Sequence, residues 1–269
     1  MSSQTLGLIA GNGEFPILFA RAAKTKNFRV VAAAVQGDTS FLLKFFVDKI
    51  CWFKVGELKK LFEYFHQEGI RQVIMAGQVN PHNLFDENLN LDEEFQKLYN
   101  ALRDRKADTI FSAIAEKLNE NGMELLDSTM LLDHYLAPKG TLTRRGPTLT
   151  ELEDINFGKN IAKAMGSLDV GQTVVVKEKA IVAIEAMEGT DRTILRGGKI
   201  ARQGAVVVKV SKPAQDKRFD VPVIGPRTIK TMIKSSAGCL DIEAGKTLII
   251  DRENCIKLAD NAGICIVAA

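Results

Sequence analysis

Imidazole and thiol are scarce in this chain, which holds three histidines and four cysteines in 269 residues. His66, His82 and His134 stand far apart, so no serine or cysteine nucleophile gains a histidine partner from the sequence. Cys51, Cys239, Cys255 and Cys265 show no zinc spacing, and three of them lie in apolar surroundings where cysteine behaves as a small hydrophobe. Long apolar runs are also missing: none approaches the roughly 18 residues of a membrane-spanning helix. The Met1-Ser-Ser-Gln-Thr5 start puts no cationic segment ahead of its short apolar one. The expectation is a cytoplasmic protein.

What is present is an ordinary globular composition, 46% hydrophobic and 26% charged, which excludes disordered and fibrous classes. A chain of 269 residues sits at the size where one core gives way to two. The net charge of +3 is small but unevenly spread, with ten Lys/Arg against two Asp/Glu between Arg196 and Lys234. Such a basic face suits nucleic acid, anionic headgroups or a phosphorylated small molecule. Only Phe219 interrupts it with an aromatic ring, which argues against nucleic acid as a partner.

The first half alternates apolar runs with helical patterns. Leu6–Ala10, Arg29–Val35, Ile50–Lys54, Gln72–Ala76 and Met123–Leu126 are expected strands, and Pro16–Lys24, Glu57–Glu68 and Asp104–Glu120 expected helices. In the last helix Ile110, Phe111, Ile114, Ala115 and Leu118 share one face. Strands alternating with helices mean an α/β fold with a parallel sheet covered on both sides, here a Rossmann-like N-terminal domain over residues 1–136.

Three polar segments follow strands of this sheet, where ligands bind in open α/β folds. Gly11-Asn12-Gly13 is a turn whose exposed amides form an anion seat ahead of a helix opened by Pro16. A dinucleotide fingerprint wants glycine where Pro16 stands and an acid at the end of the second strand, where Gln36-Gly37 lies, so NAD-dependent redox chemistry is disfavoured. Gly77-Gln78 and Asp127-Ser128 are the other two segments. Each is equally an ordinary turn, and Asp127 or Ser128 is equally a cap for a short Met130–Tyr135 helix.

Residues 137–150, with Pro138, Gly140, Gly146 and Pro147, are expected to link the halves. A smaller mixed α/β domain is expected over 151–269, with helices at Glu151–Ala164, Thr190–Arg196, Arg227–Ser235 and Arg252–Asn261. Its strands are expected at Gln172–Val176, Ala180–Ala186, Ala205–Val210, Thr247–Ile250 and Ile264–Val267. Within it, Glu185 has no adjacent basic partner, so if buried it needs a cation from elsewhere. Thr190 and Asp191 are either a helix cap or ligand contacts, and Asp251 is expected to cap the helix at Arg252.

The densest chemistry lies between Lys209 and Gly225. Lys209, Lys212, Lys217 and Arg218 suit phosphate, while Asp216 and Asp220 are hard oxygen donors for a divalent cation. A solvated charged loop has the same composition.

Gly7–Pro16, Asp127-Ser-Thr129, Glu188-Gly-Thr-Asp191 and above all Lys212-Pro-Ala-Gln-Asp-Lys-Arg-Phe-Asp-Val-Pro-Val-Ile-Gly225 resemble the LpxI family in order along essentially the whole chain. Gln78, where a basic residue is expected, departs from that pattern. The resemblance implies a Mg2+-dependent hydrolase that splits UDP-2,3-diacylglucosamine, a lipid-linked nucleotide sugar, into UMP and 2,3-diacylglucosamine 1-phosphate. It implies two domains with the ligand between them and a homodimer. Given a lipid substrate, the local basic face suits a cytoplasmic protein in peripheral contact with the anionic leaflet of the inner membrane. Carried over, Asp220 and then Asp216 are the catalytic candidates, and Asp220, Asp216 and Asp191 the metal ligands. Gly11, Asn12, Gly13, Gly77, Gln78, Asp127, Ser128, Thr190, Asp191, Lys209, Lys212, Gln215 and Arg218 are the substrate contacts. A non-catalytic nucleotide- or phosphate-binding regulatory module remains the alternative, since it uses the same turns and cations without needing Asp216 or Asp220.

Overall fold

The structure, a computed structural model, describes residues 4–79, 90–104, 106–213 and 215–269. These form two compact units. The first comprises residues up to Leu132 together with Asp216–Asp220, and the second Asp133–Gln215 with Val221–Ala269.

The first unit is built on β1 (Thr5–Ala10), β2 (Arg29–Val35), β3 (Lys49–Phe53), β4 (Gln72–Ala76) and β5 (Glu124–Leu125). They form one fully parallel sheet in the order β3-β2-β1-β4-β5. Every interior residue of β2, Val30 to Ala34, is buried, as expected where both faces are covered. The helices are α1 (Phe15–Thr25), α2 (Leu58–Gln67), α3 (Glu93–Ala101) and α4 (Ala107–Glu120). In α2, Leu58, Leu61, Phe62 and Phe65 recur at one helical face and are the residues it buries. In α4, Ile110, Ala115 and Leu118 are buried and Phe111 and Ile114 pack at the margin. Helix α3 was not legible in the sequence: it buries only Phe95 and Leu98, and its start is fixed by the Asp92 side chain accepting from the Phe95 amide at 2.8 Å.

The second unit carries β6 (Gly140–Thr141), α5 (Leu149–Ser167), β7 (Thr173–Lys177), β8 (Ala180–Ile184), α6 (Thr190–Ala201), β9 (Val206–Lys209) and β10 (Val223–Ile224). They are followed by α7 (Pro226–Lys234), β11 (Cys239–Ile242), β12 (Leu248–Ile249), α8 (Arg252–Asn261) and β13 (Cys265–Ala268). Its main sheet runs β6-β13-β11-β9-β7-β8, with β9, β11 and β13 parallel and both edges antiparallel; β10 and β12 form a separate parallel pair. The β7–β8 hairpin turns through Glu178 and Lys179, both at positive φ, as a two-residue primed turn requires. Alternation divides the core: Val206 and Val208 of β9 pack in one cluster with Ile155 and Ala162 of α5. Val207 packs on the opposite face with Ile194, Ile229 and Cys255 of α6, α7 and α8.

Strand β11 is central yet was not expected from sequence, because a fully buried carboxylate, Asp241, interrupts its apolar run. Residues 137–150, expected as a linker, carry β6 and are tied into the second unit. The Leu142 amide donates to Ile266 O at 2.8 Å, and Arg145 forms a two-pronged pair with Glu151 at 2.8 Å. Glycine and proline there exclude a helix; they do not exclude packing. Helix α5 opens on a capping box between Thr148 and Glu151. Among the described residues, no helix is long and apolar enough to cross a membrane.

Candidate functional site

At the carboxyl edge of the first sheet, the turns after β1 and β4 are pressed together. Asn12 and Gln78 exchange backbone hydrogen bonds, Asn12 N–H to Gln78 O at 2.7 Å and Gln78 N–H to Asn12 O at 3.2 Å, and Gly11 N–H donates to Ala76 O at 2.8 Å. Glycine is required here by close approach. A Cβ on Gly11 would lie 2.7 Å from Gln78 O, and one on Gly77, at φ +88°, would lie 2.6 Å from Asn12 O. Gly13, at φ +92°, faces open space. The fold thus unites Gly11, Asn12, Gly77 and Gln78, expected separately as contacts. Thr39, which sequence reasoning missed, joins the same edge: it is buried, donates to Ala10 O and accepts from Val35 N–H at 2.9 Å. Asn80, Pro81 and His82 lie outside the described residues.

Beyond β5, Asp127 folds back to accept from the amide and hydroxyl of Thr129 at 2.7 and 2.6 Å, and Ser128 bonds Lys217 O through its amide (3.1 Å) and hydroxyl (2.7 Å). The Met130–Tyr135 helix is only a 3₁₀ turn at Asp133–Tyr135. Ser128 therefore anchors the Asp216–Asp220 turn to the first unit. Phe219 stacks on Phe111 of α4, with ring centroids 5.7 Å apart.

Within that turn the Asp220 amide donates to the Asp216 backbone carbonyl at 2.9 Å, so the two residues stand one turn apart. Arg218 grips both Asp216 oxygens, Nε at 3.0 Å from each and Nη2 at 2.6 Å from Oδ2. This guanidinium holds the Asp216 carboxyl below the usual carboxylate range against the opposing effect of burial. Asp220 is half-buried, with its Oδ2 atom inside the protein.

The remaining expected residues belong to the second unit. Lys209, only 4% exposed, donates from Nζ to Thr190 Oγ1 at 2.8 Å, and Thr190 donates to Glu185 Oε1 at 2.8 Å. Thr190 is therefore not a helix cap; Gly189, at φ +81°, holds that position. Asp191 pairs with Arg227 at 2.6 Å, Lys212 with Asp169 at 2.6 Å, and the Lys212 amide donates to Gln215 Oε1 at 3.0 Å. Asp251 does not cap α8 through its side chain, which accepts from Asn254 at 3.0 Å. The basic run is thus partly neutralised: Arg196, Lys212, Arg218 and Arg227 each pair with a carboxylate.

Sequence reasoning also missed an ionic ladder against α5. Lys159 lies 3.1 Å from Asp241, and Lys163 lies 2.7 Å from Glu243, which also accepts from the Ser211 amide and hydroxyl. Burial lifts the Asp241 carboxyl to about 6, Lys159 opposing only in part. The i, i+4 spacing of Lys159 and Lys163 opposite the i, i+2 spacing of Asp241 and Glu243 was its only signal.

The three carboxylates expected to share a metal fall in different units, and Asp216 and Asp191 already have guanidinium partners. Among the described residues no three His, Cys, Asp or Glu side chains are grouped as a metal site. Magnesium needs only one or two carboxylates when water and phosphate supply the rest, and the Asp216–Asp220 turn fits that modest requirement.

Comparison with known proteins matches residues 5–135 to the LpxI N-terminal domain and residues 138–267 to the LpxI C-terminal domain. The UDP-2,3-diacylglucosamine pyrophosphatase LpxI of Caulobacter vibrioides is 30% identical over 277 residues, covering 97% of this chain and 96% of that one. Among solved structures, the biotin carboxylase domain of Hydrogenobacter thermophilus 2-oxoglutarate carboxylase aligns at 14% identity with a TM-score of 0.29, covering 75% of this chain and 42% of that one. A Rhizobium etli pyruvate carboxylase aligns at 12% and 0.29, covering 71% of this chain and 15% of that one. The chain spans less than half of either carboxylase.

Proposed function

Since this chain belongs to the LpxI family, we propose that it hydrolyses the pyrophosphate of UDP-2,3-diacylglucosamine to UMP and 2,3-diacylglucosamine 1-phosphate. The observation that carries this reading is the relative of that name, matched along 97% of the chain. In the reaction a water oxygen bonds to one phosphorus, the bridging P–O bond breaks toward the other, and the water's proton passes to a base or to solvent.

The chain's own groups suit this chemistry. Lys209, Lys212 and Arg218 supply cationic donors for phosphate oxygens. The paired turns of Gly11, Asn12, Gly13, Gly77 and Gln78 lie at a sheet edge where α/β folds take ligands, but the Gly11, Asn12 and Gln78 amides are spent on backbone carbonyls, so they offer a shaped edge and not the exposed amides expected from the sequence. Asp220, with Asp216 beside it, is the base or metal ligand in this reading, and Asp191 and Thr190 contact the substrate together with Asp127 and Gln215; Ser128, fully buried with its amide and hydroxyl on Lys217 O, holds the Asp216–Asp220 turn instead of touching the substrate. Arg218 keeps Asp216 anionic and fixed in orientation. Magnesium, held through Asp220 and Asp216, would neutralise charge developing on the phosphoryl oxygens.

The same reading includes a homodimer and peripheral contact with the cytoplasmic face of the inner membrane, for which an acylated substrate is the reason. Sedimentation velocity and vesicle co-sedimentation test these two.

The decisive experiment is turnover of UDP-2,3-diacylglucosamine by the purified protein with and without magnesium, the product identified as UMP. Folded protein that releases no UMP removes the proposal. Asp216→Asn and Asp220→Asn separate it from a non-catalytic nucleotide-binding module: UMP release at the wild-type rate in both sinks their assignment.

A further inference from the structure

Strand β8 ends at Ile184, and the next residue, Glu185, turns its carboxylate inward, leaving 8% of the residue exposed. Oε1 accepts from the Thr190 hydroxyl at 2.8 Å, while Oε2 is buried with no hydrogen-bond partner among the described residues. A threonine hydroxyl has one proton, and here it goes to Glu185, so Thr190 Oγ1 meets Lys209 Nζ, 2.8 Å away, as an acceptor. The result is a directed chain, ammonium to hydroxyl to carboxylate, with Thr173 Oγ1 3.4 Å from Thr190 Oγ1. The backbone fixes the carboxylate's end. Glu185 N–H donates to Thr173 O at 2.9 Å, and a Cβ on Gly171 would lie 2.1 Å from Glu185 O.

Burying one cation and one anion that touch only through a hydroxyl is a poor way to stabilise a fold. Well-packed apolar side chains of similar size serve as well or better. Among the described residues Glu185 Oε2 is left without a hydrogen bond, and of the three donors an ammonium carries, Thr190 takes one from Lys209. What the arrangement secures is the position of a nearly buried ammonium at the carboxyl end of β9, where a parallel strand presents ligand contacts.

We infer that Glu185 is a positioning residue: acting through Thr190, it holds the Lys209 ammonium in place for an anionic phosphate oxygen. The identity of that phosphate rests on the function proposed above; the relay itself does not.

The test is a double-mutant cycle read by calorimetric binding of inorganic pyrophosphate with magnesium present, by kcat and KM, and by melting temperature. Lys209→Met is expected to lose about tenfold or more in pyrophosphate affinity, and Glu185→Gln to reproduce most of that loss. Combined with Lys209→Met, Glu185→Gln is expected to add nothing, because it acts only through that lysine. Losses that simply add overturn the inference, as does a Glu185→Gln protein that melts lower yet binds pyrophosphate like wild type. Wild-type protein that binds no pyrophosphate overturns it too. Should Glu185→Gln fail to fold, the threonine decides: affinity kept in Thr190→Ser and lost in Thr190→Val supports the relay, and any other pattern overturns it. A coupled cycle in a protein that does not hydrolyse UDP-2,3-diacylglucosamine upholds the relay and removes the proposed substrate, and hydrolysis without coupling does the reverse.

Discussion

Ser128 spends both its donors, the amide at 3.1 Å and the hydroxyl at 2.7 Å, on one acceptor, the carbonyl of Lys217, 89 residues away in sequence. Ser128 is fully buried, so this double contact is a fixed point for the turn that carries Asp216 and Asp220.

Ser128→Ala keeps the amide bond and removes the hydroxyl, leaving part of the carbonyl's capacity unmet. The expected cost is about 1 kcal/mol, concentrated in the turn. Hydrogen exchange at the Phe219 and Asp220 amides is expected to quicken ahead of the global rate, with kcat reduced; unchanged exchange there contradicts the anchoring role.

Gly77→Ala puts a methyl 2.6 Å from Asn12 O at a residue held at φ +88°. Neither strain relaxes without parting Asn12 from Gln78, so a loss of several kcal/mol is expected in urea unfolding. A variant as stable as wild type would show that the two turns do not need this approach.

Asp241 is buried in the centre of a sheet with its carboxyl lifted to about 6. A folded-state value above the ordinary carboxylate range means that the folded state holds the proton more tightly than the unfolded one. Stability is therefore greatest at acid pH on this account and declines as pH rises through about 6. Asp241→Asn mimics the protonated form, and Lys159, 28% exposed, can turn to water when its partner is neutral. The variant is expected to be more stable than wild type at neutral pH by roughly 1–3 kcal/mol, with the difference shrinking toward about pH 4. Urea titrations at both pH values check the sign.

For Asp216 the sign is opposite. Arg218 holds its carboxyl low, so the pair's contribution is present above the ordinary carboxylate range and lost as pH falls through the depressed folded value. Both groups are partly exposed, which limits the contribution to about 1 kcal/mol or less. Arg218→Gln is expected to be slightly less stable than wild type at neutral pH and indistinguishable at acid pH, as read by urea titration across the range. In the variant kcat is also expected to fall, because Asp216 loses its fixed orientation.

Period and punctuation in the sequence determined the two α/β halves, every strand of the first sheet, the helices over Glu57–Glu68 and Asp104–Glu120 with the apolar face on Ile110–Leu118, and the glycine turns at Gly11 and Gly77. These signals are local: alternation, 3.6-residue spacing and turn chemistry act over a few residues and survive without the rest of the fold. Gly7–Pro16, Asp127–Thr129, Glu188–Asp191 and above all Lys212–Gly225, taken in order, likewise pointed to the family. Tertiary structure alone decided that Asp216–Asp220 packs with the first unit, that Asp241 lies in a central strand, that Cys239 and Cys265 stand opposite each other on β11 and β13, and that Glu185 finds its cation through Thr190. Each depends on partners tens of residues apart, brought together by strand register and helix packing, and a buried charge announces its counter-charge only once the chain has closed around it.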